Sequence, residues 1–270
     1  MAGKMTTLCK TLFGWMRKES KPFIRFYSLE PGTATLFPIV KSASIDRNFL
    51  SNTQPGDQPE TLSSKNCPGI KKIVSSGWIV PAPADFTINT NGDGISFDWA
   101  QPYRFSKITP GMEAYVNSHT RSQTEPLLDD ESTILKTVVK VETPWRIEAS
   151  DDIVLLLMPV TYNNESRFSA ATGILDPKYG HVVNIQLFWK VLNGATTIKA
   201  GTPLCQIVPI SRKSLSISHY DVTIDTANDN DAKKEHEFNY ASNCAFLAND
   251  SLSSRLSRVI TVLNKYKTKG

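Results

Sequence analysis

The segment GILDPKYG, residues 173–180, places a carboxylate, Asp176, three residues before a phenol, Tyr179, between two apolar runs. Held at the tip of a turn, the carboxylate could bind a ligand and the ring could stack on it. The same residues also suit a turn that only joins two strands, because an aspartate before proline bonds its own backbone and Tyr179 can pack on Phe188 or Trp189. The residues alone leave both interpretations open.

Two other polar residues lie within or beside apolar runs. Gln206 follows Cys205 in the run TPLCQIVPI, where a buried amide ordinarily bonds to the backbone. Asp85 follows PAPA and precedes Phe86, a position from which its side chain can cap a turn. Both residues therefore have a structural explanation that needs no ligand.

The common catalytic and metal-binding motifs are absent from the sequence. It contains no P-loop, G-x-G-x-x-G, H-E-x-x-H or Ser-His-Asp order. NGDG at 91–94 lacks the acidic ligands that complete a calcium loop. The four cysteines are widely spaced, form no C-x-x-C pair and have no histidine at ligand spacing. This pattern argues against a disulfide framework, a structural zinc site and a zinc deaminase, and we predict no metal site.

The bulk composition allows one large β domain with a substantial core. Hydrophobic residues make up 40% of the 270-residue chain, and the net charge is +4, with basic residues spread along the chain. This charge permits weak attraction to nucleic acid but does not require it. No apolar run reaches the length of a membrane span. Lys10 and Gly14 interrupt the apolar N-terminal stretch, which argues against a secretory signal.

Short apolar or alternating segments separated by Pro, Gly and Asn dominate the sequence, which indicates a mainly β fold, either a sandwich or a barrel. NGDG is a strong hairpin signal, because Asn-Gly and Asp-Gly favour positive φ. Polar loops are predicted over residues 50–66 and 117–132. Strands are predicted in FIRFYSL, TATLFPIV, GWIVPAPADFTINTNGDGISFDWA (two strands joined at NGDG), TILKTVVKVETPWRIEA, DIVLLLMPVTY, VVNIQLFWKVL and TPLCQIVPI.

The chain is expected to form a single β domain, residues 23–215, preceded by an amphipathic segment, residues 1–22, and followed by a mobile loop and a helix, residues 216–270. Residues 225–237 carry almost no apolar surface, which predicts mobility. The final helix has one apolar face, which can dock on its own domain or on a partner subunit. That face comprises Leu252, Leu256, Val259, Ile260 and Leu263.

A series of motifs runs from residue 77 to residue 210. A strand that ends at Pro159 is followed by Gly-Ile-Leu-Asp-x-x-Tyr-Gly, a long apolar strand and Ile-x-x-Gly-x-x-x-x-Gln, and APADFTI lies upstream. This order resembles the trimeric dUTPase and dCTP deaminase superfamily. The resemblance implies a dUTPase-like β-clip, a distorted barrel with short N- and C-terminal helices, and a homo-oligomer, with a trimer favoured.

The resemblance also implies roles for five residues. Asp176 takes the place of the aspartate that faces the sugar and helps to activate the attacking water, which makes it the candidate catalytic residue. Tyr179 takes the place of the tyrosine that packs under the deoxyribose. Asp85 corresponds to the aspartate that reaches the metal through water, and Gln206 to the glutamine of the phosphate-side strand. Thr161 could supply a hydroxyl where the family has Arg-Ser.

The groups that hold the triphosphate in that family are missing here. Pro159 is followed by Val-Thr-Tyr-Asn in place of an Arg-Ser motif, Tyr179 is followed by Gly-His, and the C-terminal glycine-rich arm has no counterpart. A site without a guanidinium has little hold on a triphosphate. We therefore expect no ordinary dUTPase activity and no cofactor, with magnesium present only if a nucleotide binds.

Three further segments resemble uncharacterised proteins encoded by tailed bacteriophages. They are CPGIKKIVSSGWIVPAPADFTI, TPWRIEAS and GTPLCQIVPISRK. This resemblance implies a phage origin, and it places the protein in the host cytoplasm or in the virion.

The sequence favours a non-enzymatic β-clip protein that assembles as a structural or interaction module and binds a phage or host protein. In such an oligomer we expect Ile185, Leu187 and Trp189 at or near subunit contacts. One alternative is a divergent nucleotide-binding protein or dUTPase-like hydrolase, which could recruit phosphate ligands from Lys178, His181, Arg167 and Arg212. The other is a weak nucleic-acid binder, less favoured because no basic stripe interleaved with aromatics is visible. Its candidate residues are Lys71, Lys72, Trp78 and Arg212.

Overall fold

The structure is a computed structural model that describes residues 21–47, 67–102, 104–105, 114–127, 133–247 and 260. Three predictions from the sequence fall mainly outside these residues. They are the N-terminal amphipathic segment up to residue 20, the polar loop 50–66, and the final helix with its apolar face, of which Ile260 alone is described.

The described residues form a mainly β structure, as the sequence predicts. The strands are β1 (Ile24–Ser28), β2 (Val40–Lys41), β3 (Trp78–Pro81), β4 (Phe86–Asn91), β5 (Phe97–Ala100), β6 (Val116–Ser118), β7 (Val139–Ala149), β8 (Ile153–Met158), β9 (Phe168–Ala170), β10 (Gly173–Leu175), β11 (Val182–Trp189), β12 (Asn193–Ile198) and β13 (Pro203–Ser211). They form three antiparallel sheets. The first has the order β1-β7-β11-β9, with β6 also paired to β7, the second has the order β10-β8-β13-β3-β2, and the third has the order β12-β4-β5.

One core joins all three sheets, with Phe86 and Ile198 from the small sheet packed among residues of the two larger ones. Strand β11 alternates buried and half-buried residues along its whole length, which is the period expected of a strand with one face on the core. Ile185, Leu187 and Trp189 are the buried set and are at most 1% exposed within the single chain. The chain's own core covers these three side chains, so they are not available for direct contact with a second subunit. The expectation that they lie near such a contact stays a prediction.

The NGDG hairpin is confirmed. Strands β4 and β5 pair in antiparallel register, and Gly92 and Gly94 both have positive φ. The Asp93 carboxylate accepts bonds from the backbone N–H groups of Ile95 (2.7 Å) and Ser96 (2.9 Å) and from the Ser96 hydroxyl (2.6 Å). These bonds hold the pKa of Asp93 well below its ordinary value.

Four α-helices are described, and three of them correct the sequence prediction, one of them because it lies within the predicted polar loop 117–132. They are α1 (Thr33–Leu36), α2 (Pro68–Ser75), α3 (Arg121–Thr124) and α4 (Asp229–Leu247). TATLFPIV was predicted as a strand, but a left-handed Gly32 starts α1 there and only Val40–Lys41 pairs as β2. Residues 225–237 were predicted to be a mobile loop, whereas α4 begins at Asp229. Asn228 starts that helix, because its side-chain oxygen accepts the backbone N–H groups of Asn230 (2.9 Å) and Asp231 (3.1 Å).

Helix α2 meets strand β13 at a very close approach. Gly77, two residues after the helix, has φ +70°, and a Cβ placed there would lie 1.9 Å from the carbonyl oxygen of Ile207. Only glycine fits this junction. The junction fixes the end of α2 against the strand that carries Gln206.

No helix within the described part of the chain is long and apolar enough to cross a bilayer.

Candidate functional site

The turn that follows β10 is built around Asp176. Its carbonyl oxygen accepts the N–H groups of Tyr179 (3.0 Å) and Gly180 (2.9 Å), and its Oδ1 accepts the N–H of Lys178 (3.0 Å). An aspartate before proline is suited to this arrangement, because the side chain bonds the backbone two residues on. The local role of Asp176 is therefore to shape the turn.

The Asp176 carboxylate is also paired with Arg212, which lies directly after β13. Nη2 of Arg212 donates to Oδ1 (2.7 Å), Nη1 donates to Oδ2, and Nε donates to the carbonyl oxygen of Asp151 (2.8 Å). The Arg212 bonds are the main cause that lowers the pKa of Asp176 to about 2, and the same pair raises the pKa of Arg212. Both carboxylate oxygens thus accept bonds from groups of the chain itself. This commitment leaves Asp176 poorly placed to activate a water.

Tyr179 projects from the same turn into solvent and is 82% exposed. The Lys178 ammonium lies 5.9 Å from the centre of its ring. Packing of Tyr179 on Phe188 or Trp189, as the sequence suggested, is not seen. Trp189 is fully buried and stacks instead on Phe168, with ring centres 6.1 Å apart.

Gln206 and Thr161 contact one another in the interior. Oε1 of Gln206 accepts the N–H (3.3 Å) and the hydroxyl (2.9 Å) of Thr161, and its Nε2 donates to the carbonyl oxygens of Ile73 (2.9 Å) and Ser76 (2.8 Å). Gln206 is fully buried, and its amide joins β13, the end of α2 and the loop after β8. The buried Arg47 donates from Nε to the carbonyl oxygen of Thr161 (2.9 Å) and extends the network.

Asp85 lies apart from these residues, just before β4. Its carboxylate accepts bonds from the Lys199 ammonium (2.8 Å) and the Ala200 N–H (2.8 Å), and the Lys199 bond is the main cause that lowers its pKa. Its carbonyl oxygen accepts the Tyr115 hydroxyl. The arrangement ties the start of β4 to the turn between β12 and β13.

The five predicted site residues therefore form three groups within one chain. Asp176 and Tyr179 share a turn, Thr161 and Gln206 share a buried network, and Asp85 belongs to a separate ion pair. Among the residues that the structure describes, no group of three or more His, Cys, Asp or Glu side chains could hold a metal ion. The assignment of these residues to a ligand stays a prediction.

A cavity of about 420 Å³ opens beside the Asp176 turn. Its wall includes Lys178, His181 and Arg212, three of the four residues named from the sequence as substitute phosphate ligands. The fourth, Arg167, lies elsewhere and makes a two-bond ion pair with Glu165 (2.8 and 2.7 Å). Sequence reasoning missed the partnership of Asp176 with Arg212, because no local pattern links positions 36 residues apart.

Comparison with solved structures returns dUTPases of staphylococcal phages. A dUTPase variant from Staphylococcus bacteriophage 80alpha, solved with dUpNHpp, is 8% identical, covers 77% of this chain and 89% of its own, and superposes with a TM-score of 0.32. A dUTPase variant from phage phi11 of S. aureus is 7% identical, covers 77% of this chain and 97% of its own, and has a TM-score of 0.33. At these values the matches assign neither a family nor an activity. No family model and no curated protein matches the sequence.

Proposed function

We propose that this chain is a non-enzymatic β protein of phage origin that assembles with copies of itself, three being the favoured number, as a structural or interaction module. The observation that carries this proposal is the exposed segment, which we define as residues 213–228. Every residue of this segment is exposed in the single chain. It follows β13 directly and precedes helix α4.

The exposed segment carries more apolar surface than a segment facing only water requires. Ile217 is 86% exposed and Ile224 is 95% exposed, and Leu215, Tyr220 and Val222 are also exposed. Scattered apolar side chains are normal on a surface, but a run of this kind marks a site of protein association. Its burial on a partner would stabilise an assembly by roughly 2 kcal/mol for each isoleucine.

A second copy of the same chain is the partner that we propose. Strand β10 pairs with β8 alone among the described strands, so its other edge is open to an added strand. Ile174 on that strand is 45% exposed. The exposed segment contains the 3-10 turn Ile217–His219 and is irregular from Asp221 to Asn228. One chain thus carries both an exposed apolar segment and an open strand edge, and two copies can join them without any other protein.

The hydrogen bonds of the candidate residues support the absence of catalysis. Asp176 is paired with Arg212, Asp85 is paired with Lys199, and the amide of Gln206 is fully bonded inside the chain. A catalytic carboxylate must be free to reach the group on which it acts. Nucleic-acid binding is also less favoured, since Trp78 packs edge-on against Phe26, with ring centres 5.4 Å apart.

Molar mass in solution, measured by light scattering after gel filtration, tests the assembly. We expect a defined oligomer for the wild type. Ile217→Asp and Ile224→Asp should each weaken it by about 30-fold. The neighbouring Ser218→Asp and Thr223→Asp add the same charge without removing apolar surface, and they should assemble normally. A monomeric wild type at micromolar concentration would contradict the proposal.

A turnover assay with dUTP and magnesium tests the non-enzymatic assignment separately. We expect no hydrolysis above the rate without protein. Turnover that Asp176→Asn abolishes would replace this assignment with the divergent hydrolase.

A further inference from the structure

The cavity beside the Asp176 turn has walls that hydrogen bonds hold in place. The N–H of Phe23 donates to Oγ of Ser150 (2.8 Å), which ties β1 to the end of β7. The N–H of Ile147 donates to the carbonyl oxygen of His181 (2.9 Å), and the N–H of Arg212 donates to the carbonyl oxygen of Asp152 (2.6 Å). A volume of about 420 Å³ is within the usual range of small-molecule sites, which are mostly preformed.

Three residues with nitrogen donors in their side chains are among those that line the cavity. Lys178 and His181 come from the turn itself, and Asp176 holds the Arg212 guanidinium against that turn. Arg212 uses Nε and one N–H from each terminal nitrogen in its bonds to Asp151 and Asp176. Two of its five N–H groups remain for another acceptor.

Two carboxylates, those of Glu148 and Asp151, line the cavity, and that of Asp176 belongs to the turn beside it. Glu148 pairs with Arg25 (3.0 Å), and Asp176 pairs with Arg212. Asp151 also lines the cavity, and its negative charge acts on Arg212. No ion pair of Lys178 is found among the described side chains, so its ammonium can attract an anion.

We propose that this cavity binds a phosphomonoester, with the phosphate on Lys178, His181 and Arg212 and the body of the ligand against the apolar residues. Phosphate oxygens suit a wall with several N–H donors, because each oxygen accepts more than one charge-assisted bond. The apolar part of the lining includes Phe23, Ile147, Ile153 and Pro177. A sugar phosphate and a nucleoside monophosphate share this chemistry.

Calorimetric titration of the full chain with four compounds tests the site. The compounds are inorganic phosphate, glycerol phosphate, uridine monophosphate and uridine. We expect the two phosphomonoesters to bind more tightly than inorganic phosphate, and uridine not to bind. Equal affinities of the two esters would mean that phosphate and a small body suffice. Tighter binding of uridine monophosphate would assign part of the site to the base.

Two substitutions make the result specific to the cavity. Lys178→Gln should weaken phosphomonoester binding about tenfold, since it removes a charge-assisted donor. Lys213→Gln removes the same charge one residue from Arg212 but outside the cavity lining, and it should leave affinity unchanged. Thermal unfolding without ligand checks that both variants are folded. Equal weakening by both variants, uridine binding as tightly as its monophosphate, or no binding of any phosphate compound would each overturn the site. Ligand binding in this cavity is measured separately from the oligomeric state, so failure of the site and failure of the proposed self-assembly can be told apart.

Discussion

The carboxylate of Asp176 and the guanidinium of Arg212 face each other through two hydrogen bonds, with side chains that are only 20% and 34% exposed. The pair joins the turn after β10 to the first residue after β13. Asp176 is the residue that a motif comparison assigns to catalysis. Its contacts give it a positioning role, because it orders both the turn and the neighbouring cation.

Replacement of Asp176 by Asn should lower the melting temperature by a few degrees. The pKa of Asp176 is about 2 in the folded chain, against an ordinary value of 3.8. A lowered pKa stabilises the fold above the ordinary value, and this contribution disappears as the pH falls through the folded pKa. The difference between wild type and Asp176→Asn should therefore be largest above about pH 4 and should shrink as the pH approaches 2.

Scanning calorimetry over that pH range checks the prediction, with Asp98→Asn as a control on the exposed edge of β5. A melting temperature that Asp176→Asn leaves unchanged at neutral pH would mean that Arg212 finds an equivalent partner.

The buried amide of Gln206 should contribute strongly to stability. Gln206→Leu removes the buried partner of two backbone carbonyl oxygens and of the N–H and hydroxyl groups of the half-buried Thr161. We expect the free energy of unfolding to fall by about 3 kcal/mol. Urea denaturation measures the change. Gln186→Leu, at a half-buried position of β11, should cost about 1 kcal/mol or less, and equal losses would exclude a special role for the Gln206 network.

Alanine substitutions at two glycines with nearly the same φ distinguish the loss of stability caused by a steric clash from the loss caused by backbone conformation alone. Gly77 has φ +70° and Gly94 has φ +67°, but a Cβ at Gly94 has no heavy atom within 4 Å. Gly94→Ala should cost about 1 kcal/mol, for the left-handed backbone alone. Gly77→Ala should cost about 3 kcal/mol or more, because the Cβ collides with β13. Urea unfolding of both variants gives the comparison, and similar losses would show that the α2 junction can move.

Local patterns in the sequence predicted most of the strands but missed β6, β9, β10 and β12. The alternation in VVNIQLFW matches the buried and half-buried faces of β11, and NGDG predicted the hairpin between β4 and β5. These features depend on neighbouring residues, whose side-chain period and turn geometry appear directly in the sequence.

The other features depend on contacts between distant positions or on weak local preferences. Helix α4 lacks an apolar stripe, so its polar sequence resembles that of a loop. The local signal for the helix is Asn228, which caps its first turn. The bond of Arg212 to Asp176 needs strands β13 and β10 to lie on either side of β8, which only the sheet order reveals. The three-way separation of Asp85, Gln206 and Asp176 follows from the same topology. A motif list therefore predicted the residues but not their partners.

The ion pair at Arg212 also limits the reach of the exposed segment. Asp176 and Asp151 hold Arg212 in place, so the segment starts from a fixed point. The twelve residues from Lys213 to Ile224 extend at most about 40 Å. In the assembly that we propose, strand β10 of another copy must lie within that radius of Arg212. Only closed symmetries that bring β10 of one copy this close to Arg212 of the next are compatible with that assembly.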